Sequence, residues 1–202
     1  MRADAMSPQY SRIFVSINLP TVLLNCINDT VHSLKIDFRK GVRWIKPETA
    51  HITVQFVGEI PETILGDLIE KIGNVTPNVS PFTLALKSPE VAPSLKRPKL
   101  IWIPVTGEVD EIQHMSSAVR NAVKNCGIIL KNRGFSPHIT LGRISQPEYF
   151  SEHRAIEKNL QRYAISTLAP LSLKVSEIAV VQSILSPSGP KYINRKKYVL
   201  NE

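Results

Sequence analysis

The stretch HITVQFVGEI, residues 51–60, alternates polar and apolar residues and therefore predicts a β-strand. Side chains two positions apart on a strand share a face, so His51 and Thr53 project together and Gln55 extends the row. The opposite, buried face is expected to take the apolar residues Ile52, Val54 and Phe56. The polar face of this strand thus carries a histidine that strand formation does not require.

The same opening returns later in the chain as HITLGRI, residues 138–144. His138 and Thr140 again share one face, while Ile139 and Leu141 point inward. Gly142 interrupts the alternation. Arg143 therefore lies either at the end of the strand or is turned toward the histidine face by a bulge, and the sequence leaves both options open.

The two copies occupy matching places in two halves of the chain, 12–98 and 99–202. Each half is predicted to run strand, helix, histidine strand, helix, strand. The other predicted strands are 11–18, 82–86, 99–105, 172–182 and 192–200, and the predicted helices are 20–34, 61–72, 108–126 and 148–163. This order predicts a single α+β domain over 1–202. It would be bilobal, with two pseudo-twofold-related halves of mostly antiparallel sheet backed by helices around a central groove.

Composition narrows the classes of partner. The 202 residues carry a formal net charge of +8, which favours a polyanion such as nucleic acid. Cys26 and Cys126 have no CxxC spacing and form no zinc pattern. Apolar stretches are too short for a signal peptide or a membrane span, so a cytoplasmic monomer without membrane contact is expected.

Two imidazoles and two hydroxyls across a groove suit the cleavage of a phosphodiester by water. One proton must leave the attacking water and another must reach the leaving oxygen on the opposite side, and histidine, with a pKa near ~6.5, can do either. Threonine hydroxyls can donate hydrogen bonds to the non-bridging oxygens. Neither motif contains a carboxylate, and two His with two Thr are a poor ligand set, so no metal or cofactor is expected. This chemistry alone does not say which histidine is the acid and which the base.

The segments RWIKPETAHITVQFVGEI and FSPHITLGRI resemble the two His-x-Thr-x signatures of the 2H phosphoesterase superfamily. Within it, the chain is most similar to the RNA 2′,3′-cyclic phosphodiesterases, also called the 2′-5′ RNA ligase family. RIFVSINLP resembles the first strand of that family, and RPKLIWIPV its mid-chain strand. The C-terminal segment resembles the family pattern through Ser183, Leu185, Gly189 and Tyr192.

The resemblance implies hydrolysis of 2′,3′-cyclic phosphate ends of RNA to a 2′-phosphomonoester, with weak, reversible 2′-5′ ligation at the same site. It implies that His51 is the proton donor and His138 the proton acceptor. Thr53 and Thr140 would bind the phosphate, with Arg143 adding charge.

A candidate RNA-contacting rim comprises Arg43, Trp44, Lys46 and Arg97, extended by Lys96 and Lys99. Each of these cations, like Arg143, could equally be an ordinary solvated residue, and Trp44 is the candidate for stacking a base. Two alternatives remain open for the function. One is a cyclic phosphodiesterase that acts on small nucleotides, and the other is a non-catalytic module that binds RNA or nucleotides.

Overall fold

The strands follow the alternation in the sequence, and their pairings are antiparallel. The computed structural model describes residues 9–131, 134–150, 156, 160, 172–187 and 189–201. Within them, ten strands form one curled sheet: β1 Tyr10–Asn18, β2 Val42–Trp44, β3 His51–Pro61, β4 Phe82–Leu86, β5 Glu90–Ala92, β6 Leu100–Gly107, β7 His138–Ile144, β8 Ser172–Val175, β9 Glu177–Ser186 and β10 Gly189–Val199. The order across the sheet is β10-β9-β1-β3-β7-β6-β4-β8, with β2 beside β7 and β5 beside β6.

The α-helices whose full bounds are described are α1 Thr21–Asp37, α2 Glu62–Gly73 and α3 Val109–Asn125. The first two begin directly after Pro20 and Pro61, whose fixed φ suits a helix start. In α1 the buried residues are spaced four, four and three apart, as predicted: Leu23, Ile27, Val31 and Leu34. Just beyond α3, Gly127 takes a φ of 76°, which ends the helix at low steric cost.

One face of the sheet and the buried stripes of the helices make the main core. It includes alternate residues of β1, namely Ile13, Val15 and Ile17, and the inward pair Ile52 and Ile139. Each such side chain contributes about 1.5–3 kcal/mol when fully buried. Phe14 lies on the other face of β1, where it packs with Ala179, Val181 and Tyr192 in a small separate cluster. The helices therefore cover one face of the sheet and leave the other open.

The centre of the sheet is the junction of β3 and β7, which pair through Ile52 and Ile139. On one side of it stand β1, β9 and β10, and on the other β6, β4 and β8. Strands are thus exchanged between the two halves of the sequence: β4 pairs with β6, and β9 pairs with β1. The α+β class with its bilobal antiparallel sheet is confirmed. The treatment of 1–202 as one domain with repeat halves stays a prediction.

Three details differ from the sequence-based expectation or extend it. The predicted strand 172–182 is broken at Ser176 into β8, which pairs with β4, and β9, which pairs with β1. The short strands β2 and β5 were not predicted, because three residues are too few for a periodic pattern. Of the predicted helix 148–163, a 3-10 turn at Pro147–Phe150 and the helical residues Ile156 and Leu160 are described, and the rest lies outside the described residues.

No helix among the described residues is both long and apolar enough to cross a membrane. The cytoplasmic location and the monomeric state stay predictions.

Candidate active site

The two His-x-Thr motifs meet at the β3–β7 junction. Residues that face each other across an antiparallel pair share a face of the sheet, and Ile52 and Ile139 both point into the core. The residues flanking them, His51 with Thr53 and His138 with Thr140, therefore lie on the open face. The sequence predicted this meeting through pseudo-symmetry, and the strand pairing brings it about.

Both imidazoles are oriented by the same backbone contact. His51 Nδ1 lies 2.8 Å from the carbonyl oxygen of Thr49, and His138 Nδ1 lies 2.7 Å from that of Ser136. A carbonyl oxygen can only accept, so Nδ1 carries the proton in each ring and Nε2 is left for chemistry. In the first motif Nε2 also lies 3.1 Å from Thr53 Oγ1, whose hydroxyl donates to it when the ring is neutral.

Bulges re-aim the side chains that follow the first motif. Opposite β1, strand β3 carries an extra residue at Val54 and another at Val57, so that Phe14 faces Phe56. Phe56 therefore lies on the histidine face and is 59% exposed. The prediction that Phe56 is a core residue was wrong, as was the prediction that Gln55 extends the histidine row, because Gln55 pairs with the core residue Val15.

The second motif has a bulge at the same offset from its histidine. Thr140 faces Trp102 and Gly142 faces Ile101, so Leu141 is the extra residue in β7. Leu141 and Gly142 are both buried, and Arg143 returns to the face of His138. The bulge therefore decides between the two positions that the sequence left open for Arg143. Phe56 and Arg143 are the equivalent fifth residues after the two histidines.

Aromatic rings surround the histidines. The Phe14 ring lies 4.8 Å from the His51 ring, and Tyr192 meets His51 edge-on at 5.3 Å. The Trp102 ring lies 4.4 Å from the His138 ring. Sequence reasoning did not assign Phe14 and Trp102 to the site. Their signal was their position in the strand alternation, on the polar faces of β1 and β6, but it becomes usable only when the strand order is known.

Burial is the main influence on both histidine pKa values. It lowers the pKa of His51, which the Thr49 carbonyl partly raises again and the charge of His138 lowers further. Burial likewise lowers the pKa of His138, with an opposing effect of the Ser136 carbonyl and a further lowering by Arg143. Since one protonated ring disfavours protonation of the other, a pair that has taken up one proton resists a second and passes through a singly protonated state. That state has one acid and one base.

The candidate rim residues do not all lie on the histidine face. Arg43 is exposed and pairs across the ladder with Arg143, on the open face. Trp44 pairs with Gly142 and packs on the core, so it points away from the histidines. Lys46 is exposed before the 3-10 turn Pro47–Thr49, and Arg97 is exposed in the turn between β5 and β6.

A family profile and the curated relatives of this chain point to the same family. The profile of the 2′-5′ RNA ligase superfamily matches residues 28–184. The RNA 2′,3′-cyclic phosphodiesterase of Aquifex aeolicus is 28% identical over 86% of this chain and 91% of its own. The enzyme of that name from Archaeoglobus fulgidus is 25% identical over 90% and 96%.

Solved structures share the fold. TT0787 of Thermus thermophilus superposes with a TM-score of 0.73 at 24% identity, covering 94% of this chain and 97% of its own. Escherichia coli LigT in complex with 3′-AMP superposes with a TM-score of 0.72 at 20% identity, covering 96% and 100%. Since the family profile spans most of the chain, including both His-x-Thr motifs, the chain belongs to the 2′-5′ RNA ligase superfamily.

Proposed function

We propose that this protein hydrolyses the 2′,3′-cyclic phosphate at the end of an RNA to a 2′-phosphomonoester, without a metal ion. The observation that carries the proposal is the matched pair of imidazoles on one open face, each with Nδ1 on a backbone carbonyl and Nε2 directed away from that carbonyl; Nε2 of His51 contacts the Thr53 hydroxyl. The names of the curated relatives support the substrate class.

In the proposed reaction, the neutral Nε2 of His138 accepts a proton from water as the water oxygen attacks phosphorus. The bond from phosphorus to the 3′ oxygen breaks, and the protonated Nε2 of His51 gives its proton to that oxygen. The phosphate remains on the 2′ oxygen. General acid and general base each contribute about 10²–10⁴ in rate. This division of roles comes from the family resemblance, and the burial of both rings is compatible with either direction.

The remaining polar groups act on the phosphate. The hydroxyls of Thr53 and Thr140 donate to the non-bridging oxygens, where negative charge is concentrated in the transition state. Arg143 adds a positive charge on the same face. No step requires a Lewis acid, because the imidazoles move both protons and the hydroxyls bind the oxygens.

With a ribose 5′-hydroxyl in place of water as the attacking group, the same site would join two RNA ends through a 2′-5′ bond. His138 would accept the proton of the 5′-hydroxyl and His51 would protonate the leaving 3′ oxygen, as in hydrolysis; the two roles are exchanged only when the 2′-5′ bond is cleaved again. The ligation is expected to be weak in dilute solution, because water is present at a far higher concentration than an RNA 5′ end.

The test is an assay of an oligoribonucleotide with a 2′,3′-cyclic phosphate end, in the presence of EDTA. The expected product carries a 2′-phosphate, identified by ³¹P NMR, and His51→Ala loses about 10²–10⁴ in rate. His32→Ala is the matched control, because His32 is exposed on α1. A 3′-phosphate product, loss of activity in EDTA, or full activity of His51→Ala would contradict the proposal.

A further inference from the structure

Beside the histidines, three cations line one concave surface. Arg43, Lys99 and Arg143 surround a cavity of about 560 Å³ together with Leu100, Ile144 and Ser145. We call this cavity the basic pocket. It lies where β2 and β6 flank the last residues of β7, and it is formed by strands rather than by a long loop.

The cations of the basic pocket are held close together by strand register. Arg43 lies directly opposite Arg143 in the β2–β7 ladder, and Leu100 lies opposite Arg143 on the other side. The backbone of Lys99 is tied to the end of β7, because its carbonyl accepts the N–H of Ile144 at 2.9 Å. Like charges directly opposite in a sheet destabilise it, so this arrangement favours an anion between them.

Carboxylates do not neutralise the basic pocket within the described part of the chain. The ion pairs of the described residues all lie away from the pocket: they join Lys71 with Asp67, Arg195 with Glu62 and Lys197 with Glu177. The residues that line the pocket include no acidic side chain. Among the described residues, therefore, no carboxylate pairs with the positive charge of the pocket.

The basic pocket is continuous with the candidate active site through Arg143. The bulge at Leu141 turns Arg143 to the face of His138, and its charge is close enough to lower the pKa of that histidine. Thr140 lies opposite Trp102 and Arg143 opposite Leu100, two positions apart on β6, which is a span of about 7 Å. Long cationic side chains and one nucleotide can bridge such a distance.

RNA chemistry says which anion would lie there. When the cyclic phosphate of an RNA end is held between His51 and His138, the nearest other phosphate is on the 5′ oxygen of the same nucleoside. We propose that the basic pocket binds this internucleotide phosphate, an inference that rests on the proposed function. The pocket would then select RNA ends over cyclic mononucleotides.

The experiment compares two substrates: a nucleoside 2′,3′-cyclic phosphate, which has no second phosphate, and a dinucleotide with the same cyclic end. For the wild-type protein, kcat/KM is expected to be at least about tenfold higher for the dinucleotide, since a hydrogen bond to a charged group is worth about that factor or more. The ratio should also fall with salt, with a log–log slope of about −0.7 for one neutralised phosphate.

Variants test whether the basic pocket causes this preference. In Arg43→Gln/Lys99→Gln the ratio of the two kcat/KM values is expected to approach one. The matched control is Lys35→Gln/Lys174→Gln, which removes the same charge from exposed positions on α1 and β8 and should keep the wild-type ratio. Circular dichroism of each variant confirms folding.

The outcomes separate this inference from the proposed function. If the wild-type protein cleaves neither substrate, the proposed function fails. If it cleaves both equally, or if the Arg43→Gln/Lys99→Gln variant keeps the wild-type ratio, the second phosphate does not bind in the basic pocket and the inference is overturned. An equal drop of the ratio in the control variant would also overturn it, because overall charge would then be the cause.

Discussion

At Gly142 the structure leaves no room for a side chain. A Cβ at this position would lie 2.6 Å from Val42 Cγ1 and 3.1 Å from Trp44 Cε3, both on β2. Valine is stiff at χ1 and the indole is packed, so Gly142→Ala must displace the β2 backbone. That displacement would carry Arg43 away from Arg143.

Overpacking of this kind costs about 1–3 kcal/mol. For a chain of this size, each 1 kcal/mol lowers Tm by about 2–4 °C. Urea unfolding gives the free energy directly. Val42→Ala removes the closest clashing atom, so in that background the cost of Gly142→Ala should fall, with a coupling energy of about 1 kcal/mol or more.

The control is Gly66→Ala. Gly66 lies in α2 with open space at the position that a Cβ would take, so alanine should stabilise the protein by about 0.5–1 kcal/mol. If Gly142→Ala were as stable as the wild-type protein, or if its cost were the same with and without Val42→Ala, the proposed contact between β2 and β7 would be refuted.

Two further predictions follow from the site. The exposed ring of Phe56 on the histidine face can stack a base for about 1–3 kcal/mol. Phe56→Ala should therefore raise the KM for a cyclic-ended oligonucleotide by about 5- to 150-fold, whereas Phe56→Trp should retain binding. An unchanged KM in Phe56→Ala would exclude stacking. Burial lowers the pKa of both histidines, so the unfolded chain binds protons more tightly, and the free energy of unfolding should decrease as the pH falls below about 6.5 and level off below the folded-state pKa values. Urea titrations between pH 7 and 5 measure this loss, which His51→Asn/His138→Asn should reduce; equal pH dependence in that variant would contradict the reasoning.

Regular alternation allowed much of the fold to be predicted from the sequence. The strands around His51 and His138 and the apolar stripe of α1 follow directly from periods of two and of three to four. Because the apolar residues of these strands are buried on one face of the sheet, the histidines and threonines of the two motifs lie on the other face. The family resemblance, carried by the same motifs, was confirmed by the profile match.

What could not be predicted depends on strand register. A bulge adds one residue to one strand; nothing in VQFVG marks one, and Gly142 in TLGRI raises the possibility of a bulge without deciding it. Phe56 was therefore placed on the wrong face, and the position of Arg143 stayed open. The break at Ser176 also depends on strand pairing. Residues 172–182 look like one strand in the sequence, and they are seen to be two only because β8 pairs with β4 and β9 pairs with β1.

The charge of the site illustrates a second limit. Arg43 and Lys46, like Arg97 and Lys99, lie in basic stretches outside the two His-x-Thr motifs, and the sequence does not distinguish them. Only the ladder pairs show that Arg43 faces Arg143, while Arg97 stays in a turn away from the pocket. Which of these cations lies near the histidines depends on the three-dimensional structure and cannot be read from the composition.

The most direct test of the account is a double-mutant cycle on the cyclic-ended oligonucleotide, with kcat/KM measured for the wild-type protein, His51→Asn, His138→Asn and the double variant. Two rings that transfer protons at one phosphorus atom act as a unit, so each single variant should lose most of the activity and the double variant only a little more. A single variant with full activity, or losses that multiply in the double variant, would show that the two histidines do not act together on one phosphate.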